Sequence, residues 1–191
     1  MRAMAKKKQP AESKSPASHA PAKARKKREM FAEGHKRKFL VVVDETPECE
    51  SALAFAASRA KRTQGHLALL YVIEPGAEFQ HWLGIEEIAR EEGHNKARAV
   101  FRLFGMKLKA MGFESLQPEE IVREGGKAEQ IQKLVEEDQD IGVLVLGASK
   151  DPAGPGPLVT TLAGGRHMGT FPVPITVVPG HLSIEEILAL A

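Results

Sequence analysis

Phe39-Leu40-Val41-Val42-Val43-Asp44 decides how the rest of this 191-residue chain is read. Five apolar residues in succession, three of them β-branched and none alternating with a polar residue, describe a strand buried on both faces rather than one with a wet side. A strand of that kind belongs inside a parallel sheet with helices packed on either side. The next twenty residues agree. Thr46 is placed to cap a helix with Pro47 at its first position, and Glu48 and Glu50 suit the positive end of its dipole. Leu53, Ala56, Ala57 and Ala60 form the stripe that faces the sheet, Lys61 and Arg62 suit the far end, and Gly65 ends the helix.

Working outward, Leu67-Ala68-Leu69-Leu70-Tyr71-Val72-Ile73, Ile141-Gly142-Val143-Leu144-Val145-Leu146 and Ile175-Thr176-Val177-Val178 repeat the buried-strand pattern. Glu120-Ile121-Val122-Arg123 is a weaker strand, nearer an edge. Between them, helical spacing runs over residues 84–111, where Gly93 and Gly105 offer places to bend, and over residues 127–137. A fourth helix is expected to begin at residues 158–162. Strict alternation of strand and helix demands right-handed crossovers and a parallel sheet covered on both faces. Ligands in such sheets bind beyond the carboxyl ends of the strands, where the winding reverses. That directs attention to Asp44 and Glu45, to Val72 through Glu74, and to the loop that starts at Gly147.

Of the 27 Lys and Arg and 25 Asp and Glu in the chain, 12 and 3 respectively lie at or before Arg37, so a basic tail precedes an acidic domain. Residues 1–37 hold too few bulky apolar side chains to offset the entropy of ordering them and are expected to be disordered. Nucleic acid is a partner only through Lys6-Lys7-Lys8 and Arg25-Lys26-Lys27-Arg28; the alternative is a merely solvated tail. Residues 38–180 form the expected domain, and residues 181–191 a terminal helix capped by Ser183 and Glu186. No apolar run reaches the roughly 20 residues of a membrane helix and no secretion signal is present, so a cytoplasmic protein with no membrane association is expected. The single Cys49 excludes an internal disulfide and is read as a small buried side chain.

Five motifs, in order, resemble the universal stress protein family from Phe39 to Gly180: the strand ending in Asp44 with its helix; Leu-Leu-Tyr-Val-Ile-Glu-Pro from Leu69; Arg-Glu-Gly-Gly-Lys-Ala from Arg123; Leu-Val-Leu-Gly-Ala-Ser from Leu144; and Pro-Val-Pro-Ile-Thr-Val-Val-Pro from Pro172. The resemblance implies an α/β fold of Rossmann-like, adenine-nucleotide alpha-hydrolase-like type, a five-stranded parallel sheet of order 3-2-1-4-5. It also implies an adenine nucleotide, ATP or AMP, with Mg accompanying ATP. Asp44 would lie near ribose and adenine, and the backbone of Val72 would read the adenine edge. Gly147 and Ala148 open the family's phosphate loop, in which glycine, two residues, glycine and nine residues precede glycine with Ser or Thr.

The rest of the loop departs from that pattern. Lys150 stands at the second glycine, nine residues separate Gly154 from Gly164, and Gly165 replaces the hydroxyl residue. Pro155 and Pro157 offer no N–H, so Lys150 and Arg166 are left to compensate with charge. The alternative is a stiff surface loop without nucleotide.

Glu78-Phe79-Gln80-His81-Trp82-Leu83 is either a base-stacking lid or loop packing. The histidines show no metal-ligand spacing, so no structural metal is expected. There is likewise no nucleophile elbow and no Walker lysine, so the chain is expected not to be an enzyme. The expected function is a homodimeric, nucleotide-responsive regulator in the stress response, with an unknown protein partner. The alternative is a nucleotide-free dimeric interaction module. The dimer is expected along Ile175, Thr176, Val177 and Val178, an apolar edge strand without charge.

Overall fold

A computed structural model describes residues 27–74, 85–165 and 169–191; the basic tail up to residue 26, the Trp82 segment and Arg166 lie outside the described residues. The elements are β1 (Lys38–Val42), α1 (Glu48–Arg62), β2 (His66–Ile73), α2 (Ile85–Ala110), β3 (Glu119–Glu124), α3 (Lys127–Glu137), β4 (Ile141–Gly147), a π-helical turn (Val159–Ala163), β5 (Ile175–Val178) and α4 (Ile184–Leu190). All five strands are parallel, in the order β3-β2-β1-β4-β5. The chain therefore winds one way from β1 through β3 and the other way from β4, which leaves the ends of β1 and β4 side by side at the reversal.

Alternate residues of the central strands enter different cores. Phe39, Val41 and Val43 join Leu69, Leu53, Phe104 and the alanines of α1 on one face, whereas Leu40 and Val42 join Leu70, Leu144, Leu146, Ile131 and Leu162 on the other. Both sets are buried, which is why β1 shows no polar alternation. Ala52, Ala56, Ala57 and Ala60 are fully buried, and their small side chains let α1 lie close to the sheet.

Local details differ from the sequence reading. The Thr46 hydroxyl does not cap α1; Pro47 occupies the N-cap position without a side-chain hydrogen bond, and Thr46 turns back to Asp44. At the other end of α1 the chain reverses at Gln64, with φ of 53°, and the Gly65 N–H donates to the Ala60 carbonyl. Gly65 is needed for another reason: a Cβ there would lie 2.7 Å from the Arg37 carbonyl oxygen. Helix α2 is continuous through Gly93, whose missing Cβ makes room for Ile73. The expected fourth helix is reduced to the π turn, closed by the Gly164 N–H on the Val159 carbonyl.

Among the described residues, contacts with the domain already include Arg28, ahead of the boundary that composition places after residue 37. The Arg28 guanidinium donates to the carbonyls of Asp138 (3.1 Å), Ile141 (2.8 Å) and Val135. Helix α3 has no basic residue in its last turn, so its unpaired carbonyls are met by an arginine from a distant part of the chain. His35 Nδ1 lies 2.6 Å from Asp140, and Arg37 sits over the rings of Phe39 and Phe31. Met30 and Arg37 fill the space over Gly142, where a Cβ would lie 2.7 Å from each. Composition misses this arm because single side chains anchor it.

Arg28→Ala should destabilise the protein by about 1–3 kcal/mol, since it removes charge-assisted bonds from three carbonyls. At about 2–4 °C per kcal/mol for a chain of this size, the melting midpoint should fall by several degrees. Arg28→Lys should recover less than half of the loss, because an ammonium cannot reproduce the planar fork.

Candidate functional site

Beyond the carboxyl ends of β1 and β4 lies a crevice of about 550 Å³, walled by the first turns of α1 and α3 and by residues 155–159. That volume is within the range of small-molecule sites. Val42 and Leu146, from the two strands at the reversal, supply apolar surface, and Asp44 supplies the carboxylate.

Asp44 is held by its own turn. Thr46 donates its backbone N–H (2.9 Å) and its hydroxyl (2.6 Å) to Asp44 Oδ1, and the Cys49 thiol lies 3.2 Å from the same oxygen. The second oxygen faces Lys127 Nζ at 3.2 Å. Burial alone would raise the Asp44 pKa. The Thr46 and Cys49 hydrogen bonds and the Lys127 charge outweigh it and hold the carboxyl below its ordinary value. Cys49 behaves oppositely: burial first, then the Asp44 charge, push its thiol up to about 12. It is a buried, un-ionised side chain whose Sγ also points at the Val42 carbonyl.

Lys127 is the site residue that the sequence reading passed over, although it lies inside one of the family-like motifs. Its ammonium is 3.2 Å from Asp44 and 3.6 Å from Glu74, whose carboxylate also accepts the Lys127 backbone N–H at 3.4 Å. Burial works against the charged form, but Asp44 and then Glu74 raise its pKa above the ordinary value. A signal was present: a lysine at the first position of a helix opposes the dipole, so something else must hold it there. Glu48 and Glu129 complete the charged lining, which sets four carboxylates against one ammonium among the described residues.

The other expected site residues are more scattered. Gly147 lines the crevice, but its missing Cβ serves the fold: a Cβ would lie 2.0 Å from the Glu48 carbonyl oxygen, where the first turn of α1 presses on the end of β4. The Ala148 N–H pairs with the Val178 carbonyl, and the Ala148 carbonyl abuts Gly180. Lys150 packs by its stem against Gly180 and lines a different hollow, with Glu50 and Ser183. Gly154, at φ 141°, borders a shallow neighbouring hollow with Glu48 and Asp151. Gly164 and Gly165 end the π turn against the carbonyls of Thr160 and Thr161, outside the crevice lining. Val72 is buried in β2, and Glu74, two residues on, reaches the rim. Gly156, with φ 98°, stands over the crevice instead. Among the described residues no three His, Cys, Asp or Glu side chains converge as metal ligands, and no helix is long and apolar enough to cross a membrane.

A model of the universal stress protein family matches residues 36–179. The fold is similar to the universal stress protein UspA from Lactobacillus plantarum (17% identity, 75% of this chain and 97% of that chain, TM-score 0.59). It is also similar to a universal stress protein from Archaeoglobus fulgidus in complex with dAMP (16%, 74% and 97%, TM-score 0.51) and to a universal stress protein in complex with cAMP (15%, 75% and 97%, TM-score 0.50). No curated protein sequence matches the chain.

Gly147→Ala should unfold rather than merely block the site. A backbone carbonyl has to move, so the loss should exceed the ~1–3 kcal/mol of ordinary overpacking. Urea unfolding measures it, and an unchanged midpoint would show that α1 can retreat from β4.

Proposed function

The chain belongs to the universal stress protein family, and from that premise we propose that its crevice binds an adenine nucleotide with a short phosphate, of AMP type, as part of a homodimeric stress-response regulator. The observation that carries this reading is the crevice at the sheet reversal, with apolar surface from Val42 and Leu146 beside the fixed carboxylate of Asp44. An aromatic base suits the first, and a ribose or amine donor suits the second. Family relatives are described in complex with dAMP and with cAMP, which supports the adenosine monophosphate class.

A longer phosphate chain meets a poorer environment. Gly164 and Gly165 lie outside the lining, Pro155 and Pro157 have no N–H, and Glu48 is within 3.9 Å of where a Cβ on Gly156 would stand. ATP should therefore gain less than about tenfold over AMP, or roughly 1.4 kcal/mol. Titration calorimetry should show AMP binding, and amide shifts should move at Asp44, Gly147 and Gly126 while those around Gly180 stay. Asp44→Ala should weaken AMP by about tenfold, the lower end for a charge-assisted bond, because Asp44 already shares its charge with Lys127. Shifts confined to the Lys150 side would refute the site.

The dimer is proposed along β5. The opposite edge, β3, carries Glu119, Glu120, Arg123 and Glu124 and so resists pairing, whereas Ile175-Thr176-Val177-Val178 has no charge. Helix α4 packs toward α1: Ile187 is buried in the α1-side core, and Arg62 donates to the Leu188 carbonyl. Sedimentation equilibrium should give twice the chain mass of 20.8 kDa. Val177→Lys should shift the population toward monomer by bringing like charges together across the twofold axis.

A further inference from the structure

Lys127 stands at an electrostatically unfavourable helix start, yet it is a cation in the middle of an otherwise acidic crevice, with no second cation in the lining among the described residues. It bridges two carboxylates from different strand ends, Asp44 after β1 and Glu74 after β2, and side chains of Lys127 and Asp44 are each only 24% exposed. Glu74 is 55% exposed and the weaker partner at 3.6 Å. A ligand group that hydrogen-bonds to Asp44 Oδ2 competes there with the ammonium, because Oδ1 is already taken up by Thr46 and Cys49. A neutral ligand returns a hydrogen bond to Asp44 but no counter-charge to Lys127, which is left partly enclosed with only the exposed Glu74. An anionic ligand returns both.

Resting on the nucleotide reading above, we propose that Lys127 is the specificity-determining residue of the crevice: a built-in counter-ion that closes Asp44 in the empty site and transfers to the phosphate of a nucleoside monophosphate when one binds, so that the uncharged nucleoside is rejected. Asp44, Glu74 and Lys127 line one crevice, and the flexible lysine stem lets the ammonium change partner there without moving α3. Removing the ammonium should then act in opposite directions on two ligands. The phosphate loses its partner, while the nucleoside no longer has to open an ion pair to reach Asp44. A lysine that merely steadied the first turn of α3 would weaken both alike.

Titration calorimetry with AMP and with adenosine, on the full chain and on Lys127→Met, Lys127→Gln and Lys127→Arg, separates these cases. Met keeps the apolar stem and Gln a polar end, so failure of one to fold leaves the other. The wild type should prefer AMP over adenosine by about tenfold or more, equivalent to roughly 1.4 kcal/mol. In the Met and Gln variants the ratio should fall to near one, with adenosine binding more tightly than to the wild type, and Arg should keep the preference. An unchanged ratio in the Met and Gln variants, or equal weakening of both ligands, overturns the role of Lys127 while leaving nucleotide binding intact. Absence of binding by either ligand to any of the four proteins overturns the nucleotide reading, and the inference with it.

Discussion

The contact on which the molecule turns is backbone against backbone: the Glu48 carbonyl lies where the Cβ of Gly147 would be, 2.0 Å from that ideal position. The first turn of α1 can rest on the end of β4 only because residue 147 has no side chain. The same economy of space recurs next door, where Gly180 admits the Ala148 carbonyl at 2.1 Å from its own missing Cβ. Together these contacts bind β4, β5 and α1 at the carboxyl ends of the strands. They bring Glu48, Asp44 and Leu146 around one hollow.

Much of this architecture is legible in the sequence because parallel sheets leave a strong pattern. The unbroken apolar runs of β1 and β4 reflect burial on both faces, and the bounds of β5 and α3 coincide with the expected ones. The weaker pattern of β3 matches its place at the edge, with half-buried Ile121 and Val122 between exposed acids. Hydrophobic period carries no information about the features that differ. The π turn depends on which carbonyl the Gly164 N–H selects, and the orientation of Thr46 depends on competition between an N-cap and an Asp44 turn. The Arg28 arm depends on partners more than 100 positions away.

The crevice was legible in position and less so in its lining. Chain reversal points to Asp44 and the start of the loop after β4, both of which line it, since that inference needs only the order of the elements. Motif spacing points to Lys150, Gly164 and Gly165, which lie outside the crevice lining, in a loop whose length departs from the family pattern. Motif position says nothing of Lys127; its conflict with the dipole of the helix it begins does. A single residue that breaks a local rule was here a better guide to the crevice than a degraded signature.

Helix α3 is fastened at both ends by cations from opposite directions: its own Lys127 reaches out to Asp44 and Glu74, and Arg28 reaches in to its last carbonyls. Its 11 residues make a rod about 16 Å long, pinned at each tip. A rod so held has little freedom to swing as a hinged flap, and its buried Ile131, Leu134 and Val135 resist rolling about the axis. Adaptation to an incoming molecule on this wall is thus confined to side-chain rotamers, on the picosecond to nanosecond scale, and does not require the slow closure of a domain.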